Sequence, residues 1–160
     1  MIPKIKRILY ATDLSKNSMH AFRYAVIAAR NHDAQIYILH VQERIPSADD
    51  VLLRDSGLGK RLKKLYETER EAAAEKIKKR LEEICRQELK DKPGGLKRVT
   101  IQVVDGNPAA AILQKAKELE VDLVVMGTHS KGALAHVFLG SVATKVLHRI
   151  KTPVFIIPIP

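Results

Sequence analysis

Residues 121–142 read Val121-Asp122-Leu123-Val124-Val125-Met126-Gly127-Thr128-His129-Ser130-Lys131-Gly132-Ala133-Leu134-Ala135-His136-Val137-Phe138-Leu139-Gly140-Ser141-Val142. Val121 to Met126 is a short apolar run rich in branched residues, the pattern of a buried strand. A glycine-containing loop follows, and Gly140-Ser141-Val142 opens a helix from Ser141 to Ile150 that carries Val142, Val146, Leu147 and Ile150. Strand, loop and helix in this order form half of a parallel crossover unit.

The same alternation extends in both directions. Downstream, Pro153 precedes a last strand, Val154 to Ile157. Upstream, Asn107-Pro108 supplies a cap and a favoured first-turn proline for a helix running to about Glu120, and Val99 to Val104 reads as a strand before it. A long amphipathic helix is predicted over about Lys60 to Asp91, with Leu62, Leu65, Ala72, Ala73, Ile77, Leu81, Ile84 and Leu89 near one face and Pro93-Gly94-Gly95 ending it. Near the start, Ile5 to Ala11 and Ala34 to Val41 read as strands. Between them a helix spans about Ser15 to His32, with Ala21, Phe22, Ala25, Val26 and Ala29 at helical spacing and Ser15 or Ser18 as its cap. Five strands alternating with four helices imply an α/β fold in which a parallel sheet is covered on both faces, wound by right-handed crossovers.

Nothing marks a second domain: 160 residues suit one core, so residues 1–160 are read as a single domain, without repeats or low-complexity linkers. Cys85 is the one cysteine, which excludes an intrachain disulfide or a cysteine-based zinc cage and fits a reducing compartment. The basic start, Met1 to Arg7, lacks the apolar stretch of a signal peptide, and no later run has membrane-spanning length, so a cytoplasmic protein is expected. From Glu43 to Gly59 the pattern gives way to Pro46, Asp49, Asp50, Asp55, Gly57 and Gly59, a connection long enough for a mobile flap.

The chain carries 28 basic and 18 acidic residues, a net charge of +10, which suits anionic partners without selecting one. Much of the excess lies between Lys60 and Lys92, interleaved with glutamates, and Glu75 with Lys79 and Glu82 with Arg86 have the spacing of helix-supporting pairs. A nucleic-acid stripe shows one sign of charge and uses aromatic stacking platforms; here the signs mix and aromatic residues are few. A solvated helix face is the better account.

In doubly wound sheets ligands sit beyond the carboxyl ends of the strands where the winding reverses. Two strand ends carry suitable residues: Ala11-Thr12-Asp13, able to meet a ribose or a metal ion, and Gly127-Thr128-His129-Ser130-Lys131-Gly132 with Gly140-Ser141-Val142 beyond it. Glycines admit phosphate oxygens close to backbone amides, and a helix start favours an anion. Any one of these glycines is explained by turning or packing; their combination after a strand and before a helix is more specific. It matches neither the P-loop nor the dinucleotide fingerprint, and Gly57-Leu58-Gly59-Lys60 lacks the upstream glycine and the preceding strand. His20, His32, His40, His136 and His148 show no metal-ligand spacing and are read as solvated or packed.

Gly127, two residues, Ser130, nine residues and Gly140-Ser141 resemble the ATP-binding loop of the universal stress protein family, and the likeness extends to Ile8-Leu9-Tyr10-Ala11-Thr12-Asp13-Leu14-Ser15 and Pro153-Val154-Phe155-Ile156-Ile157-Pro158. The resemblance implies a flavodoxin-like sheet of order 3-2-1-4-5. It places ATP over strands one and four beside Ala11, Thr12 and Met126, with Asp13 near the ribose and a Mg²⁺ or Mn²⁺ ion and Val41 near adenine. Gly127, His129, Ser130, Gly140, Ser141 and Val142 would line the phosphates. It also implies a homodimer through the C-terminal strand, Val154 to Ile159, and a regulatory module in stress response acting on a further protein partner. Ser130 stands where the family pattern has glycine: a left-handed backbone there would cost about 1–2 kcal/mol, while its hydroxyl could offset this at a phosphate. With Asp13, His129 and Lys131 but no recognisable arginine finger, hydrolysis is expected to be slow or absent. A slow metal-dependent ATPase and a dimeric interaction protein without nucleotide are the alternatives.

Overall fold

The computed structural model describes residues 1–15, 17–43, 56–90, 95–128 and 139–158. Its strands are β1 (Arg7–Thr12), β2 (Gln35–Gln42), β3 (Val99–Asp105), β4 (Leu123–Gly127) and β5 (Val154–Ile157), joined by α1 (Ser18–His32), α2 (Gly57–Leu89), α3 (Pro108–Glu118) and α4 (Ser141–Leu147). All four strand pairings are parallel, in the order β3-β2-β1-β4-β5. This is the flavodoxin-like architecture expected from the alternation and the resemblance.

The central strands are apolar without interruption because helices cover both faces. Within that run the two-residue period still sorts side chains. Ile8 and Tyr10 of β1 and Leu123 and Val125 of β4 join Phe22, Ala25, Leu81 and Cys85 beneath α1 and α2. Leu9 of β1 and Val124 and Met126 of β4 meet Ile112, Ala116, Ala143 and Val146 beneath α3 and α4. Asn107 accepts a bond from the Ala110 amide at 3.0 Å, so α3 starts at the predicted cap.

Two expectations change near α1 and α4. Helix α1 begins at Ser18, later than Ser15, because residues 13–15 form a side-chain-bonded turn first; Ser15 Oγ then accepts from the Ser18 amide at 3.2 Å. Helix α4 stops at Leu147, and the chain turns before reaching Ile150.

Helix α2 differs more. It starts at Gly57, with Ser56 accepting from the Gly59 amide at 2.9 Å, so Gly57-Leu58-Gly59-Lys60 is a capped first turn rather than any loop. The single predicted apolar face also divides. Leu81, Cys85 and Leu89 are buried, whereas Leu58, Leu62 and Leu65 stand exposed. At about 100° per residue, Leu62 and Leu65 lie roughly 100° and 160° round the helix from Leu81, too far to share its face. The expected ion pairs of Glu75 with Lys79 and Glu82 with Arg86 do not form among the described residues; Arg86 pairs with Glu83, and Lys63 with Glu67.

Candidate functional site

Strand β1 lies between β2 and β4, so the chain winds outward in opposite directions from it and leaves a crevice at the carboxyl ends of β1 and β4. A cavity of about 340 Å³ occupies this crevice. Ala11, Thr12 and Asp13 enter from β1, Val41 from β2, Met126 and Gly127 from β4, and Gly140, Ser141 and Val142 from the start of α4. The cavity thus gathers every site residue predicted from the sequence except His129 and Ser130, which lie outside the described residues. So do Lys131, Gly132, most of the predicted 43–59 flap and Ile159.

Side-chain bonds hold the turn after β1. The Leu14 amide donates to Thr12 Oγ1 at 3.1 Å and the Ser15 amide to Asp13 Oδ1 at 3.0 Å, a pair of local bonds that shape the turn without regular structure. Leu14 takes φ +64°, a conformation that leucine rarely adopts. The consequence falls on Asp13: one carboxylate oxygen is committed to the turn, while Oδ2 is buried with no hydrogen-bond partner among the described residues. A buried carboxylate oxygen without a donor costs free energy until a ligand or cation meets it.

On the opposite wall, Gly140 donates its amide to the Thr128 carbonyl at 2.6 Å, fastening the start of α4 to the end of β4. Among the described residues no side chain caps the helix, which leaves its first amides able to donate toward the cavity. Gly140 sits at φ −59° and ψ 155°, which any residue can adopt; its value is therefore the missing Cβ, not conformational freedom.

His40 adds a contact that the sequence reading did not assign to the site. It lines the cavity, and its Nδ1 lies 2.9 Å from the Thr12 carbonyl oxygen. A carbonyl only accepts, so Nδ1 carries the proton and the ring braces β1 against β2. Its position one residue before Val41 was the available signal, since both end the same strand. Tyr10, Leu39, Glu43 and Thr128 also line the cavity, and Pro108 and Ile112 reach it from α3. Burial pushes the Tyr10 phenol up to about 12, and its hydroxyl donates to the Ser18 carbonyl at 2.5 Å, tying β1 to α1.

No cluster of three or more metal-ligating side chains occurs among the described residues. Asp13 alone does not cage an ion. It does suit a Mg²⁺ or Mn²⁺ ion that takes its remaining ligands from phosphates and water.

Fold and crevice together define a flavodoxin-like α/β protein whose concave site lies at the switch point of a parallel sheet. The universal stress protein family model matches residues 4–158, and the chain belongs to that family. It is 32% identical over 155 residues to the universal stress protein MJ0531 of Methanocaldococcus jannaschii, covering 97% of this chain and 83% of that protein. A universal stress protein of Thermus aquaticus is 30% identical, with 95% and 98% covered. Among solved structures, MJ0577 superposes with a TM-score of 0.67 at 26% identity over 99% of both chains. A universal stress protein in complex with cAMP shares the fold at a TM-score of 0.59 and 21% identity, covering 98% of each chain. No helix among the described residues is long and apolar enough to cross a membrane.

Proposed function

We propose that this chain binds ATP together with Mg²⁺ or Mn²⁺ in the β1/β4 crevice and acts as a nucleotide-dependent regulatory module in stress response. The observation that carries the reading is the cavity at the carboxyl ends of β1 and β4, which brings Asp13, whose Oδ2 has no hydrogen-bond partner among the described residues, together with the start of α4. The carboxylate would meet the ribose and the metal ion. Val41 and Met126 give the apolar walls that a base requires, Ala11 and Thr12 the floor, and Gly127, Gly140, Ser141 and Val142 the amide-rich end that suits phosphates. His129 and Ser130 would complete that end. A cavity of this volume falls in the range of small-molecule sites. The reading has binding without rapid turnover, and it places the chain in a cytoplasmic homodimer that pairs β5 strands.

The test is titration of purified protein with ATP and with cAMP, each with and without Mg²⁺, after mass spectrometry for nucleotide retained through purification. ATP should bind more tightly than cAMP. Asp13→Asn keeps an acceptor for the Ser15 amide but removes the charge, so it should weaken Mg·ATP by about tenfold, on the order of 1.4 kcal/mol, and metal-free ATP much less. Equal weakening with and without metal would remove the ion from Asp13, and no binding of either nucleotide would leave the interaction-protein alternative.

A further inference from the structure

A second cavity, of about 240 Å³, lies beneath the start of α1 and the middle of α2. Tyr10, Phe22, Ile38, Leu81 and Cys85 form its buried floor. Leu14, Met19 and Ile84 are half-buried toward its mouth, and Arg80 stands exposed beside them. Asp13 lines only the β1/β4 crevice, whereas Leu14 and Ser15 line only this cavity, so the turn after β1 is a partition between the two.

The hydroxyls around the cavity are already engaged. Tyr10 donates to the Ser18 carbonyl and Ser18 Oγ to the Ser15 carbonyl at 2.6 Å, while Thr12 Oγ1 and Ser15 Oγ accept from the Leu14 and Ser18 amides. The interior therefore offers a ligand apolar contact and little else. Arg80 differs, since its guanidinium has no hydrogen-bond or ion-pair partner among the described residues. Glu83, three residues on, is taken by Arg86 and Gln87.

An apolar interior with one cation at its rim suits a ligand that is apolar along its length and singly negative at one end. We propose that this cavity binds a medium-chain aliphatic carboxylate, its tail against Phe22, Ile38 and Leu81 and its carboxylate paired with Arg80. The planar guanidinium matches a carboxylate, and a single cation suits one negative charge better than a phosphate. A base or sugar would bury polar groups against a floor whose hydroxyls are spent, which sets this cavity apart from the crevice. An apolar cavity of about 150 Å³ accepts benzene; in proportion, about 240 Å³ takes a chain of about eight to ten carbons. The site requires no nucleotide.

Calorimetric titration with straight-chain acids from hexanoate to dodecanoate, below their micellar concentrations and without nucleotide, tests it. Affinity should rise about fourfold per methylene and level off near decanoate, where the cavity is full. Arg80→Glu should weaken octanoate at least about fivefold and leave octanol unchanged, because the alcohol has the tail without the charge. Cys85→Leu, with its fold confirmed by circular dichroism, extends a side chain into the cavity and should shorten the preferred acid by about two carbons. Met19 lines this cavity and Met126 the crevice, so in protein labelled with methyl-¹³C methionine octanoate should shift the Met19 signal and leave Met126 in place. A shift of Met126 instead, equal weakening of octanoate and octanol by Arg80→Glu, affinity that climbs through dodecanoate without levelling, or no acid bound at millimolar concentration would overturn the proposal.

Discussion

Leu14 and Asp13 show how a few residues turn a strand end into a site. The left-handed leucine costs on the order of 1–2 kcal/mol, and bonds to Thr12 and Asp13 side chains offset it. The turn thereby holds Asp13 in the wall of the cavity, with one carboxylate oxygen on the Ser15 amide. Sequence could pick out Ala11-Thr12-Asp13, because a hydroxyl and a carboxylate at a strand end are recognisable; it could not show the left-handed Leu14, or that Oδ2 is buried with no partner among the described residues. Tyr10 and Cys85 make a different prediction at this scale. Burial raises the Tyr10 phenol from 10.0 and the Cys85 thiol from 9.0, each to about 12, so the unfolded chain releases these protons first. Their contribution is fully present below about pH 9 and is lost as pH rises toward 12. Urea denaturation at pH 7, 9 and 11 should show little change up to pH 9 and a fall by pH 11, and Tyr10→Phe should flatten the part above pH 10.

Among the elements, β5 was legible to the residue and α2 least so. Strand β5 is a short branched run bounded by prolines. In α2 the period was right and the interpretation wrong, since leucines on a second face satisfy a loose apolar count without entering the core. Arg70 marks the division. Its Nη2 donates to the Gln42 carbonyl at 2.9 Å and to Asp105 at 2.7 Å, and its guanidinium lies 5.5 Å from the centre of the Tyr66 ring. This clasp fixes α2 to the ends of β2 and β3 where the apolar anchoring fades. Arg70→Ala should cost about 1–2 kcal/mol in denaturant unfolding and speed amide exchange over residues 57–75 while leaving 77–89 protected. Unchanged exchange over residues 57–75 would mean that this half of α2 is already free of the sheet.

At the scale of the molecule, the winding order followed from alternation and resemblance together, because right-handed crossovers leave few arrangements of five parallel strands. What lay beyond sequence was which residues from separate elements meet: His40, Pro108 and Ile112 reach the crevice only once β2 and α3 are placed. The order also leaves β5 as an edge. Pro153 and Ile157 accept from β4, so the backbone groups of Val154 and Ile156 point outward, and Phe155 is 47% exposed. Phe155→Lys should convert a β5-paired dimer to monomer by light scattering at micromolar concentration. A dimer that persists there would place the interface elsewhere.

The central claim is that phosphates sit against the start of α4. Calorimetric titration of Mg·ATP into the unaltered protein and into Gly140→Val tests it most directly, because φ −59° and ψ 155° admit valine without backbone strain while its branched side chain obstructs the amides. The account predicts one ATP per chain for the unaltered protein and a folded variant that binds at least about tenfold more weakly. Equal affinity in a folded Gly140→Val, or no binding by either protein, would contradict it.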